Sequence, residues 1–78
     1  MNKYKRIAKL VNTYTGENIF SPKKTQGVVD ARGLFDHIMY IEFGCTYQSI
    51  SNFYYANGKS RNHTVILYSV RQYKKEIE

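Results

Sequence analysis

The sequence predicts an all-α domain, a small bundle of four to five helices containing a helix-turn-helix at about residues 46–73. Three observations carry that expectation. Four segments repeat apolar residues at the 3.6-residue period of a helix. No stretch sustains the strict alternation of a half-buried strand. Gly16, Ser21-Pro22, Gly44 and Asn57-Gly58 stand between the periodic segments, and these are residues that end helices or start turns.

The first helix is expected from Asn2 to Tyr14. Ile7, Leu10, Val11 and Tyr14 fall at i, i+3, i+4 and i+7, an apolar face for the core, with Lys3, Lys5, Arg6 and Lys9 around the other side. Those cations suit a polyanion, although a solvated helix face has the same composition. Gly16 ends the helix. Residues Glu17 to Gly27 form a connection in which Ile19 and Phe20 anchor the loop to the core and Lys23-Lys24-Thr25 stands out as a short basic arm. A second helix is expected from Val28 to Phe43, with Ala31, Leu34, Phe35, Ile38, Met39 and Ile41 as a wide apolar stripe at the centre of the fold. Asp36 and His37 are adjacent, so they leave the helix in different directions and make no catalytic pair. Gly44 stops this helix. Cys45 follows as a small, partly buried filler, since nothing beside it would lower its pKa.

Thr46 can cap a third helix, Tyr47 to about Ala56, with Ile50, Phe53 and Tyr54 inward. After the Asn57-Gly58 turn the last helix spans Ser60 to Arg71, with Asn62 as a good N-cap residue, and runs into a charged, frayed tail at 74–78. Ile66, Val70, Tyr73 and Ile77 line one side; Thr64, Tyr68, Arg71 and Lys75 line the other. Arg61, Asn62, His63 and Thr64 at its tip are all hydrogen-bonding types, as in a recognition helix whose first residues meet base edges. His63 there suits a base or a phosphate; an N-terminal histidine bonded to its own turn is the plainer alternative.

With 78 residues the chain makes one domain, 1–78, whose core alone supplies roughly 3–5 kcal/mol. The net charge is +6. Residues 1–24 hold six Lys/Arg against one acid, residues 25–58 one against three, and residues 59–78 five against two. Positive ends and a pI near 9.6 fit nucleic acid or another anionic surface, and would also serve solubility alone. A single cysteine excludes an intrachain disulfide framework, and with His37 and His63 scattered it makes no zinc site. No apolar run approaches the ~20 residues of a spanning helix, and no apolar h-region follows the basic N-terminus, so an intracellular protein is expected. There is no glycine-rich phosphate loop, no paired catalytic carboxylates and no Ser–His–Asp order. Neither an enzyme, a cofactor nor a metal is expected.

The run Arg61-Asn62-His63-Thr64-Val65-Ile66-Leu67, followed by Ser69, resembles the signature of the C-terminal DNA-binding domain of the bacterial replication initiator DnaA: a basic residue, any residue, His, Ser/Thr, Ser/Thr/Val, two aliphatics, a spacer, then Ser/Ala. The resemblance extends over nearly the whole chain. Leu10-Val11 and Tyr14 are similar to that family's first helix, Phe20-Ser21-Pro22-Lys23-Lys24 to its basic loop, Ala31-Arg32 and Leu34 to the start of its central helix, and Thr46-Tyr47-Gln48-Ser49-Ile50 to the first helix of its helix-turn-helix. The resemblance implies the fold of that domain and of the related Trp-repressor group. It implies duplex DNA read in two grooves, with Asn62, His63, Thr64 and Val65 in the major groove, Lys24 at the minor groove, and Arg32, Thr46, Tyr47 and Gln48 around phosphates.

This chain departs from the family pattern in four ways. Asn62 replaces the usual Asp, which shifts the expected base toward adenine N6/N7. Lys24 replaces Arg, the 56–60 turn is longer, and Gln72-Tyr73 breaks the end of the signature. The family's ATPase domain has no counterpart in the sequence, so the expectation is the DNA-reading module used alone. That would suit a small regulator of replication or transcription from a bacterium, phage or mobile element, cytoplasmic and nucleoid-associated.

The expected function is therefore double-stranded DNA binding without catalysis. Lys3, Lys5, Arg6, Lys23, Lys24, Arg61 and Arg71 would supply salt-sensitive affinity. Thr25 in the arm and Tyr68 on the outer face of the last helix complete the candidate contacts. The rival expectation is a protein partner, held through a tyrosine-rich surface that includes Tyr47, Tyr54, Tyr55 and Tyr68 among eight tyrosines.

Overall fold

The structure, a computed structural model, describes residues 2–77, with side chains described as far as Lys75. Its four α-helices run α1 (Lys3–Thr15), α2 (Gln26–His37), α3 (Tyr47–Ala56) and α4 (His63–Ile77), and a π-turn, Ile38–Glu42, extends α2. No strand occurs among the described residues. The all-α bundle is as expected.

Each helix begins on a side-chain cap. Asn2 accepts from Lys5 N–H at 2.9 Å, Thr25 from Val28 N–H at 3.4 Å, Thr46 from Ser49 N–H at 3.0 Å and Asn62 from Val65 N–H at 3.0 Å. These bonds satisfy amides that have no partner within the helix. Gly16 closes α1 in the left-handed conformation (φ 73°) and donates to Asn12 O at 3.0 Å, which a residue with a Cβ adopts only under strain.

Two faces differ from expectation. In α1, Leu10 and Tyr14 are 59% and 84% exposed, while Ala8 and Val11 are buried and Tyr4 and Ile7 pack beside them. The helix is turned so that small Ala8 lies at the contact and Tyr4 can stack on Phe53 (5.2 Å) and donate to Ser49 Oγ (3.0 Å). The second correction concerns the expected helix Val28–Phe43. It starts two residues earlier, on its Thr25 cap, and from His37 widens into the π-turn, where Phe43 N–H reaches back to Ile38 O. A wider turn shifts the phase of everything after it. Ile41 consequently leaves the stripe for solvent, while Met39 and Cys45 stay buried.

α2 is the centre, packed most broadly on α4 and also on α1. Ala31, Phe35 and Met39 point inward with Ile50, Tyr54, Ile66 and Val70, each large side chain contributing about 1.5–3 kcal/mol. Phe35 stacks on Phe53 at 5.6 Å and meets Tyr54 edge-on at 5.7 Å. Ile19 is fully buried and Phe20 packs against Phe53 and Tyr54, so the loop is anchored as expected. Gly33 lets α4 approach closely, since a Cβ there would lie 3.1 Å from the Tyr73 ring. α4 begins at His63 and stays helical to Ile77, rather than starting at Ser60 and fraying at Lys74. The inward role expected of Ile77, and the tail at Glu78, lie outside the described residues.

Candidate nucleic-acid interface

The tip of α4 faces solvent. Asn62, His63, Thr64 and Val65 are all exposed, because the inward face of the helix starts only at Ile66. Tyr68 (63% exposed) and Arg71 continue the open side one and two turns on. Between this side of α4 and α2 runs an open groove of about 650 Å³. Val29, Val65, Tyr68 and Tyr73 make its walls, and Lys24, Arg71 and Lys75 bring cations to it. Among the described residues Asp30 is the sole acid on the lining, and it accepts from Gln26 Nε2 at 2.7 Å. The fold thus brings Lys24 of the arm to the same groove as Val65, Tyr68 and Arg71. Lys23 and Thr25 flank Lys24 on the surface, with Thr25 also serving as the cap of α2.

Two expected phosphate contacts are turned inward instead. Arg61 is 8% exposed; its Nη1 donates to Asp36 Oδ2 at 2.9 Å and its guanidinium lies over the Tyr54 ring at 4.5 Å. Arg32 is buried as well, donating from Nε to Ile19 O at 2.9 Å and from Nη2 to Ser21 O. Burial first, and then the charge of Arg61, lower its pKa. A buried guanidinium must keep its hydrogen bonds, so neither side chain is available to a polyanion. Arg32 instead pins to α2 the loop that carries Lys23 and Lys24. Arg61 holds the turn before α4 from two sides, because its carbonyl also accepts from Ser51 Oγ of α3.

Asp36 and Lys59 are not among the residues expected from the sequence. Asp36 is fully buried and accepts from Arg61 and from the Tyr54 hydroxyl (3.0 Å). Burial pushes its carboxyl up, while Arg61, Ser69 and Tyr54 pull it back. Tyr54 is pushed well above the usual phenol range by burial and by the Asp36 charge. The available signal was spacing: Arg32 and Asp36 stand four apart beside the Ala31–Phe35 stripe, where a charge has to find a partner. Lys59, in the turn before α4, has its pKa lowered by burial and then by Arg32, Lys24 and Arg61, so it joins the same cationic group as Lys24.

Thr46, Tyr47 and Gln48 gather at the first turn of α3. Thr46 serves as the cap. Tyr47 stacks flat on Tyr40 at 4.3 Å, and its hydroxyl is pushed up by hydrogen bonding with Tyr40 and by burial, against the pull of Arg71. Gln48 is exposed and donates to Asn52 Oδ1 at 3.0 Å. Among the described residues no group of three or more His, Cys, Asp or Glu could hold a metal ion, and no helix is long and apolar enough to cross a membrane. No family model, curated protein or solved structure matches the chain.

Proposed function

We propose that the chain binds double-stranded DNA, with sequence preference and without catalysis, and that α4 is the recognition helix of a helix-turn-helix. The observation that carries this reading is the exposure of the α4 tip, Asn62 to Val65, beside a groove edged by Lys24, Arg71 and Lys75. The major groove admits one α-helix, and the first residues of such a helix meet base edges. Cations alongside would meet phosphates and fix the register. The resemblance of residues 61–69 to the DnaA C-terminal domain supports the same reading, with Lys24 at the neighbouring minor groove. Such a module would serve as a small cytoplasmic, nucleoid-associated regulator of replication or transcription.

The test is a titration of duplex DNA over a range of salt. Log affinity is expected to fall linearly with log salt, by about 0.9 for each phosphate contacted. Absence of binding even at low ionic strength refutes the reading and favours a protein partner. Of the tyrosines suited to that rival, Tyr55 and Tyr68 are exposed, whereas Tyr54 is core and Tyr47 is half-buried.

A further inference from the structure

We propose that the cleft between α1 and α3 docks an acidic protein segment, which seats one large apolar side chain on Phe20 and Phe53 and carboxylates at Lys5 and Lys9. The proposal does not depend on what α4 meets, since this cleft and the α4 groove share no lining residue. Lys5 and Lys9 stand one helical turn apart on α1, both exposed at the cleft. Like charges at that spacing repel and weaken a helix. α1 carries no acid to offset them, and neither lysine makes an ion pair among the described residues. Among the described residues the cleft lining holds no acid either. Asn12 adds a donor to the lining. Its Oδ1 accepts from Ile19 N–H at 3.0 Å, and its Nδ2 has no acceptor among the described residues.

The floor of the cleft selects the kind of anion. Phe20 and Phe53 line it and are half-buried. Phe53 stacks on Tyr4 at 5.2 Å and on Phe35 at 5.6 Å, so its faces are engaged within the fold and the cleft meets its edge. A ring edge carries the positive end of the aromatic quadrupole, which again suits a carboxylate. Single-stranded nucleic acid stacks its bases on open ring faces, and Phe53 offers none. A free small molecule is a poor match as well. Sites that enclose one hold about 300–1,000 Å³, whereas this cleft holds about 270 Å³. It accommodates a single Leu, Met or Phe side chain of a larger partner. A protein segment supplies that side chain and its flanking carboxylates together, whereas a duplex brings phosphates without the apolar group.

The experiment titrates the full chain into fluorescein-labelled peptides in which a central Leu, Met or Phe is flanked by Asp and Glu. The comparisons are peptides with Ala at the centre, peptides with Asn and Gln in place of the acids, and vesicles of anionic lipid. Amide NMR spectra locate the contact. The acidic, apolar-centred peptides are expected to bind, with shifts around Lys5, Lys9, Asn12 and Asn57. Lys5→Glu combined with Lys9→Glu is expected to weaken that binding on the order of ten-fold. Both side chains are exposed, and circular dichroism melts check that the variant stays folded. Lys75→Ala, on the α4 groove, should leave the peptide affinity unchanged. Equal binding by the Ala-centred or the neutral peptides overturns the proposal, because the cleft would then need no such segment. Shifts confined to the α4 groove overturn it, as does lysine-dependent binding of the vesicles without binding of the peptides. Failure of every peptide to bind also overturns it, while duplex binding by α4 stands or falls on its own salt titration.

Discussion

Arg61 stands two residues before the first residue of α4, with its guanidinium facing Asp36 and Tyr54 and not solvent. A buried pair of this kind adds little over a well-packed apolar pair, but breaking it strands a charge, at about 3–5 kcal/mol. Asp36→Ala is therefore expected to lower unfolding free energy by that amount, measured by urea denaturation. Replacing both partners, Asp36→Leu with Arg61→Met, should recover most of the loss. Equal stability of wild type and Asp36→Ala would mean that the carboxylate does not hold the guanidinium. The sign of the pH effect follows from burial. Asp36 keeps its proton to a higher pH in the folded chain than an unfolded aspartate does, so above the ordinary carboxylate range the folded state binds more protons. Stability from this group falls as pH rises through that window. Arg61 pulls the carboxyl down, so Arg61→Met should carry the end of the fall to higher pH in denaturation curves taken from acid to neutral.

Helix ends were largely legible because caps are local. Gly16, Thr46 and Asn62 do what their residue types suggest. Thr46 meets the α3 amides directly, so Thr46→Ala should cost about 1 kcal/mol, and an unshifted thermal melt would show that the hydroxyl is not capping. Gly16→Ala has open space around its Cβ but keeps φ at 73°, and is expected to cost about 1–2 kcal/mol from the left-handed backbone alone. Helix faces were less legible. The apolar residues of α1 allow two neighbouring stripes, and Tyr4 meeting Phe53 selects the one that leaves Leu10 and Tyr14 outside. The π-turn was not legible, because the run from Ile38 to Glu42 keeps residue types that an α-helix also accepts.

For the molecule as a whole, the excess of positive charge is unevenly available. Arg32 and Arg61 are buried, whereas Lys23, Lys24, Arg71 and Lys75 are exposed, the last three of these on one groove. Lys9 belongs to a separate, smaller cleft of α1 and α3. If the groove side meets the duplex, Lys24→Ala should weaken binding to all sequences and flatten the salt slope by about one unit. Lys9→Ala should leave the slope unchanged. Equal flattening by both, in titrations at several salt concentrations, would mean that the protein meets DNA through diffuse charge and not through this side.

Period, caps and stops are local along the chain, so the sequence determined that there are four to five helices, roughly where they begin, and that the tip of the last is rich in hydrogen-bonding side chains. Whether an arginine faces water or the core depends on a partner far away in sequence. Asp36 lies 25 residues before Arg61, and Ile19 O lies 13 before Arg32. Tertiary packing alone turned those two guanidiniums inward and brought Lys24 beside Tyr68 and Arg71, because a buried charge goes where its hydrogen bonds are and an unpartnered one stays in water.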